Sequence, residues 1–240
     1  MTDELKTSPE TEEKKNPSRQ ADVFFSLKRD IVFGRLRANE RLPEEELAVR
    51  FGVGRYVIRA ALEELDRCGL IKKRPNRGAV VIAYTDGEIE ELYDMRELLH
   101  RQAVERMPLP APRSLVSELH AINDEYGVYL DKGDIDRVAE VNDAFHMTLF
   151  EACGNRYLAS TIEEYWQKTA AIHCYAIGDP NLARHSHHEH RQMIEALASG
   201  DRILLADLTV RHMWPALEAY RAAHAATRRR AGIRSTAQQV

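Results

Sequence analysis

The tripeptide Gly52-Val53-Gly54 constrains this chain most, because it joins two short amphipathic runs that must lie against one another. Upstream, Leu42-Pro43-Glu44 opens a helical run with Pro43 suited to its first turn and Leu47, Ala48 and Phe51 on one side. Downstream, Arg55 to Cys68 turns Val57 or Ile58, Ala61, Leu62 and Leu65 inward and keeps Arg55, Tyr56 and Arg59 near its N-terminus. Two helices joined by a glycine turn of this length form a helix-turn-helix, whose second helix fits a major groove. An earlier helix is predicted over Ala21 to Phe33 from Val23, Phe24, Leu27, Ile31 and Val32, with Gly34 ending it. Leu70 to Arg74 and Ala79 to Ile82 read as strands flanking the turn Pro75-Asn76-Arg77-Gly78. Residues 21–84 therefore read as a winged helix-turn-helix.

Charge divides the chain at the same place. The net −4 conceals +4 over residues 21–84, against −1 over 1–20 and −7 over 85–240. From Arg55 to Arg77, Arg55, Arg59, Arg67, Lys72, Lys73, Arg74 and Arg77 face only Glu63, Glu64 and Asp66. Phosphate binding depends on charge within about a Debye length, so a mildly acidic chain can carry a basic face for a polyanion. The longest apolar stretch, Ala79 to Tyr84, is far short of the ~20 residues a bilayer demands, which excludes a membrane span. The three cysteines, Cys68, Cys153 and Cys174, form no C-x-x-C, which argues against a disulfide framework and for a reducing cytoplasm. Residues 1–20 are polar, lack an apolar signal region and read as a disordered arm; residues 228–240, with Arg228, Arg229, Arg230 and Arg234, read as a frayed basic tail.

After Thr85-Asp86-Gly87 no strand alternation is visible, so the fold is mainly α. Breaks at Pro108 to Pro112, Lys132-Gly133-Asp134, Gly154-Asn155, Gly178-Asp179-Pro180 and Gly200-Asp201 predict a six-helix all-α bundle over 85–227. All ten histidines lie here, from His100 to His224. Asn142 and His146 are four apart on the third of these helices and share a face; His190 falls inside the fifth and His212 inside the sixth. Three imidazoles with one oxygen donor suit a divalent metal, zinc foremost, with nickel, iron or manganese as alternatives. His187, three residues before His190, is positioned to face the same cavity, whereas His185 and His188 point toward solvent.

The segment Glu40 to Val81, ERLPEEELAVRFGVGRYVIRAALEELDRCGLIKKRPNRGAVV, resembles the N-terminal domain of the GntR family of bacterial transcription regulators. The resemblance implies that Arg55 and Arg59 contact bases or phosphates of double-stranded DNA, with Gly54 and Tyr56 alongside and Asn76, Arg77 and Gly78 at the wing tip. The family's usual Val-Ser-Arg-Thr-Pro is Val53-Gly54-Arg55-Tyr56-Val57 here, so two hydroxyls are lost and bulk is gained, which favours a different operator sequence. Tyr93 to Leu99, Asn142 to His146 with Cys153-Gly154-Asn155, Glu189-His190 through Asp201, and Arg211-His212-Met213 resemble the FCD effector domain of the FadR subfamily. Metal-binding members of that family use one Asp and three His, and the matching residues are Asn142, His146, His190 and His212. Asn142 departs from the pattern, and its neutral amide oxygen is a weaker donor than a carboxylate. Asp143, about 100° round the helix, is a poor substitute.

The resemblance further implies a small carboxylate effector that ligates the metal and pairs with Arg96, and a homodimeric repressor on a palindromic operator. The competing class is a metal-dependent helical-bundle enzyme. Glu97-x-x-His100 is the E-x-x-H word of di-iron carboxylate bundles, and Asp143-x-x-His146 is close to a second copy. A mononuclear hydrolase would use Glu189 as base, but a residue adjacent to a helical ligand points away from it. No nucleophile constellation is visible and no catalytic residue is assigned.

Overall fold

The computed structural model of the chain describes residues 17–32, 35–67, 69–74 and 78–223. The first helix, α1 (Pro17–Val32), begins inside the segment expected to be a disordered arm, so residues 17–20 belong to the fold. The rest of that arm and the basic tail lie outside the described residues. Next comes α2 (Glu44–Phe51), with three glutamates in its first turn, where the helix dipole favours them, and Gly52 closing it at φ 61°. Then α3 (Arg55–Arg67) buries Ile58, Ala61, Leu62 and Leu65, the stripe its spacing predicts.

The wing is a sheet of three strands, β1 (Arg41–Leu42), β2 (Ile71–Arg74) and β3 (Gly78–Val81), in the order β1-β3-β2 with antiparallel pairing. Gly78 has φ 73°, and a Cβ there would stand 3.1 Å from the Leu42 carbonyl oxygen, so the close pairing of β1 with β3 requires glycine. Leu27, Leu42, Ile58, Leu65, Ile71 and Ala79 fill the core beneath. Buried Asp30 accepts hydrogen bonds from Arg35 and Arg50 and so ties α1 to α2.

The second unit is all-α. A Thr85–Glu88 capping box opens α4 (Asp86–Arg106), followed by α5 (Arg113–Lys132), α6 (Ile135–Glu151), α7 (Arg156–Lys168), α8 (Ala170–Gly178), α9 (Pro180–Ser199) and α10 (Arg202–Arg211). Residues 214–223 are also helical and are called α11. The six runs expected from the sequence are present, but the fourth and sixth are each broken once. The fourth breaks at Thr169, whose hydroxyl donates to the carbonyls of Tyr165 (2.9 Å) and Trp166 (3.2 Å) and bends the chain there. The sixth breaks at His212-Met213, because Pro215 has no N–H to offer the Arg211 carbonyl. Among the described residues no helix is long and apolar enough to cross a membrane.

The two units meet at the Thr169 break. Ala170, the first residue of α8, is buried with the N-terminal core, and α1 packs along α8. The Tyr84 hydroxyl donates to the Lys168 carbonyl at 3.1 Å, and Arg29 pairs with Asp136 at the start of α6 at 2.7 Å.

Candidate functional site

The bundle brings three of the predicted ligands together. His146 on α6, His190 on α9 and His212 after α10 offer nitrogens that all lie within 4.8 Å of one another. His146 Nε2 and His190 Nε2 are 3.3 Å apart. Two nitrogens each ~2.0–2.1 Å from a tetrahedral ion stand about 3.3–3.4 Å apart, so this spacing fits one. Burial first, then the neighbouring imidazoles, hold the His146 and His190 pKa values well below the ordinary histidine value, which keeps both rings neutral with lone pairs free. Phe145 stacks on His190 at 4.0 Å and Trp166 packs on His146 at 4.4 Å, which fixes both ring planes.

His212 sits at the α10–α11 break rather than inside a helix. Its Nδ1–H donates to Glu189 Oε2 at 2.8 Å, which leaves Nε2 for the cluster. Glu189 was expected to point away from the site. It points away from His190 but reaches His212 from behind, buried between α9 and the end of α10, with His185 (3.3 Å) and Arg211 (3.6 Å) on its other oxygen. Burial raises the Glu189 pKa, yet the His212 hydrogen bond and the surrounding cations hold it below the ordinary carboxylate value. The Glu189-His190 word in the sequence carried this signal. Asp143 accepts from Trp166 Nε1 at 2.9 Å and takes no part in the cluster.

Beside the histidines lies a cavity of about 20 Å³, room for a single water, lined among others by Arg96, Asn142, Trp166, His173, Ser186 and His212. Asn142 thus borders the cavity one turn before His146. Arg96 is 3 % exposed, and its Nε and Nη1 have no hydrogen-bond partner among the described residues. Its guanidinium lies 5.0 Å from the Trp166 ring and 5.3 Å from that of Tyr93. A buried cation with two nitrogens left without an acceptor, and only the Tyr93 side chain beside it to offset its burial, is an arrangement that an anion completes. His173 was not singled out from the sequence, because only the placement of α8 brings it here. It stacks on Trp166 at 4.4 Å with Nδ1 unpartnered.

Two other expected residues lie elsewhere. His187 does not line the cavity: its Nε2–H donates to the Asn123 carbonyl at 3.0 Å and its ring stacks on Tyr126. Gly127 makes this possible, since a Cβ there would stand 3.0 Å from His187 Cε1. His100 donates through Nδ1 to the Thr209 carbonyl at 3.2 Å, while Glu97 faces solvent and pairs with Arg101, so the E-x-x-H word builds no metal centre.

On the N-terminal unit, Arg55, Tyr56 and Arg59 project from the first turns of α3, with Tyr56 67 % exposed. Arg55 Nη2 donates to Glu45 Oε1, and Arg59 Nε to Glu44 Oε2, each at 2.7 Å. The space that a side chain at Gly54 would occupy is open. Gly78 begins β3, and Asn76 and Arg77 lie outside the described residues.

Residues 19–81 match the family described as bacterial regulatory proteins, gntR family, and residues 91–214, more than half of the chain, match the FCD domain. The chain belongs to the GntR family, with an FCD domain as its second unit. This is the pairing that the sequence resemblance implied. The chain is 30 % identical over 141 residues to YdhC, an uncharacterized HTH-type transcriptional regulator of Bacillus subtilis (strain 168); the match covers 58 % of this chain and 63 % of that one. It is 32 % identical over 136 residues to the gluconate operon transcriptional repressor of the same organism, covering 57 % and 56 %. The chain thus spans less than two thirds of either relative. The structure of McbR/YncC from E. coli shares the fold at TM-score 0.62 and 19 % identity, covering 85 % and 98 %. These relatives and the family are regulators, so the enzyme alternative has no support.

Proposed function

We propose that the chain is a DNA-binding transcription repressor whose operator affinity is set by a small carboxylate held at Arg96 beside a divalent metal. The observation that carries this reading is Arg96, buried with Nε and Nη1 unpartnered among the described residues and lining the same cavity as Asn142 and His212, one of the three converging imidazoles. His146, His190 and His212 would hold the metal, zinc before nickel, iron or manganese, with Asn142 as the oxygen donor on the cavity side. When bound, the ion supplies a Lewis-acid point for the carboxylate, and Arg96 supplies the opposing charge. His187 is engaged elsewhere and has no part in this site.

On the DNA side, Arg55, Tyr56 and Arg59 meet the bases or phosphates of the duplex from the start of α3. Gly54 leaves the first turn of that helix uncrowded for a phosphate, and the wing residues Asn76, Arg77 and Gly78 are assigned a second contact by the family resemblance. One such helix reads a half-site, so a homodimer on a palindrome is the natural unit, acting in the cytoplasm. Exposed Leu98, Ile203 and Leu204 on the neighbouring helices α4 and α10 supply an apolar face for it. The relative named as a gluconate operon repressor supports repression over activation.

The cavity supports a coupling route. The cavity is narrow, so a carboxylate entering it beside Arg96 would press on its walls. His173, Ala176 and Ile177 of α8 form one wall, and the start of the same helix is packed into the N-terminal core. The test joins metal analysis to DNA titration, using a duplex that the wild-type protein selects from a random pool. One metal per chain, lost in His190→Ala, and a carboxylate that weakens wild-type binding but not that of His190→Ala, are the expected results. Metal-free wild type from chelator-free preparation, or DNA affinity unmoved by a panel of carboxylates, would overturn the reading.

A further inference from the structure

The arginines expected to meet DNA are each held by a carboxylate from the neighbouring helix. Arg59 Nε donates to Glu44 Oε2 and Arg55 Nη2 to Glu45 Oε1. Exposed ion pairs contribute little to stability, and a carboxylate beside the groove-reading residues costs affinity for a polyanion. Neither stability nor general DNA affinity therefore explains the two pairs.

The pairs also differ from each other. Both glutamates stand in the first turn of α2, where the helix dipole favours their charge, but the Glu44 side chain is 24 % exposed and that of Glu45 is 73 % exposed. Guanine is read by two parallel N–H donors aimed at O6 and N7. With Nε engaged by a half-buried partner, Arg59 keeps both Nη groups and has its fork fixed in direction. Arg55 has given Nη2 to an exposed partner and must leave it before presenting the same fork.

We propose that Glu44 is a specificity-determining positioning residue that aims the Arg59 guanidinium at a guanine, whereas Glu45 is only a charge opposing the phosphate contact of Arg55. The inference rests on α3 being the groove-reading helix, as stated under Proposed function. The test titrates four duplex classes over a salt series: one selected from a random pool by the wild-type protein, a scrambled one, and the selected one with each G·C or each A·T pair inverted singly. Wild type, Glu44→Gln, Glu45→Gln and Arg59→Ala are compared, and retained binding to the scrambled duplex verifies folding.

Glu44→Gln is expected to lose about 5- to 20-fold on the selected duplex and nothing on the scrambled one. The loss should vanish on the single inverted G·C duplex that also abolishes the effect of Arg59→Ala. Glu45→Gln should tighten both duplexes alike and steepen the salt dependence. If Arg59→Ala loses discrimination while Glu44→Gln tightens both duplexes alike, Glu44 is merely a charge and the inference fails on its own. If Arg59→Ala keeps discrimination, the reading of α3 fails first and takes the inference with it.

Discussion

Replacing Arg96 with methionine should make the effector-free protein more stable and unresponsive to carboxylates. Burying a cation costs several kcal/mol after relaxation, and Arg96 recovers only part of this, because Nε and Nη1 reach no acceptor among the described residues. Its contacts with the Trp166 and Tyr93 rings return roughly 0.5–2 kcal/mol each. Methionine keeps most of the apolar stem and fills irregular space without a charge. The net gain is about 1–3 kcal/mol, and at about 2–4 °C per kcal/mol for a chain of this size Tm should rise by roughly 2–12 °C. Calorimetry with and without carboxylates, on zinc-free and zinc-loaded protein, measures it. Wild type should gain about 2.7 kcal/mol at a ligand concentration 100-fold above Kd, and Arg96→Met should gain nothing. An Arg96→Met protein that melts below wild type, or that keeps the ligand shift, would refute the reasoning.

Acid should destabilise the metal-free protein from near pH 6.5 downward. Burial holds His100, His146, His173 and His190 well below the ordinary histidine pKa, so the unfolded chain takes up protons that the folded one refuses. Their contribution is complete above ~6.5 and falls by up to about 1.4 kcal/mol per pH unit for each ring as pH drops below it. Urea midpoints between pH 7.5 and 5.5 test this, and a flat profile contradicts it. Asp30→Asn should cost about 1–2 kcal/mol by weakening the tie to Arg35 and Arg50, whose hydrogen bonds hold the Asp30 pKa down against the burial that raises it. A depressed carboxylate stabilises above its unfolded pKa near 3.9 and loses that contribution as pH falls through its folded value, so the variant's profile should be flatter below pH 4.

The helix-turn-helix was legible because local signals agree: the apolar stripe of α3, the glycine turn and the strand pair all appear within one short segment. Strand β1 was not, since two residues carry no alternation and Arg41 and Leu42 become a strand only by pairing with β3. Proline and glycine marked most helix ends, but Thr169 is an ordinary helix residue until its hydroxyl turns back on Tyr165 and Trp166. Within the site, the i, i+4 spacing of Asn142 and His146 placed both on one face. Glu189 and His173 depend on where α10 ends and where α8 lies, which are tertiary facts. Arg96 sits among charged neighbours in sequence, and only the tertiary packing around α4, with Trp166 of α7 and His173 of α8 among its surroundings, buries it.

If the chain works as proposed, the Thr169 break offers a route from the small site to the helix-turn-helix unit. It separates α8 from α7, so α8 can shift without dragging the whole fourth run. Helix α8 is engaged on several sides: His173, Ala176 and Ile177 face the cavity, Ile172 packs with Tyr93 and Met213, and Ala170 joins the N-terminal core. Under the proposed function, a carboxylate entering the cavity would disturb at least one of those contacts, and the contact of α8 with α1 leads to the helix-turn-helix unit. By linkage, the change in operator affinity equals the reciprocal change in effector affinity. A hundredfold release of DNA requires about 2.7 kcal/mol of coupling. The charge left uncompensated at Arg96 is of that order, so pairing it with a carboxylate can drive the shift without any further source.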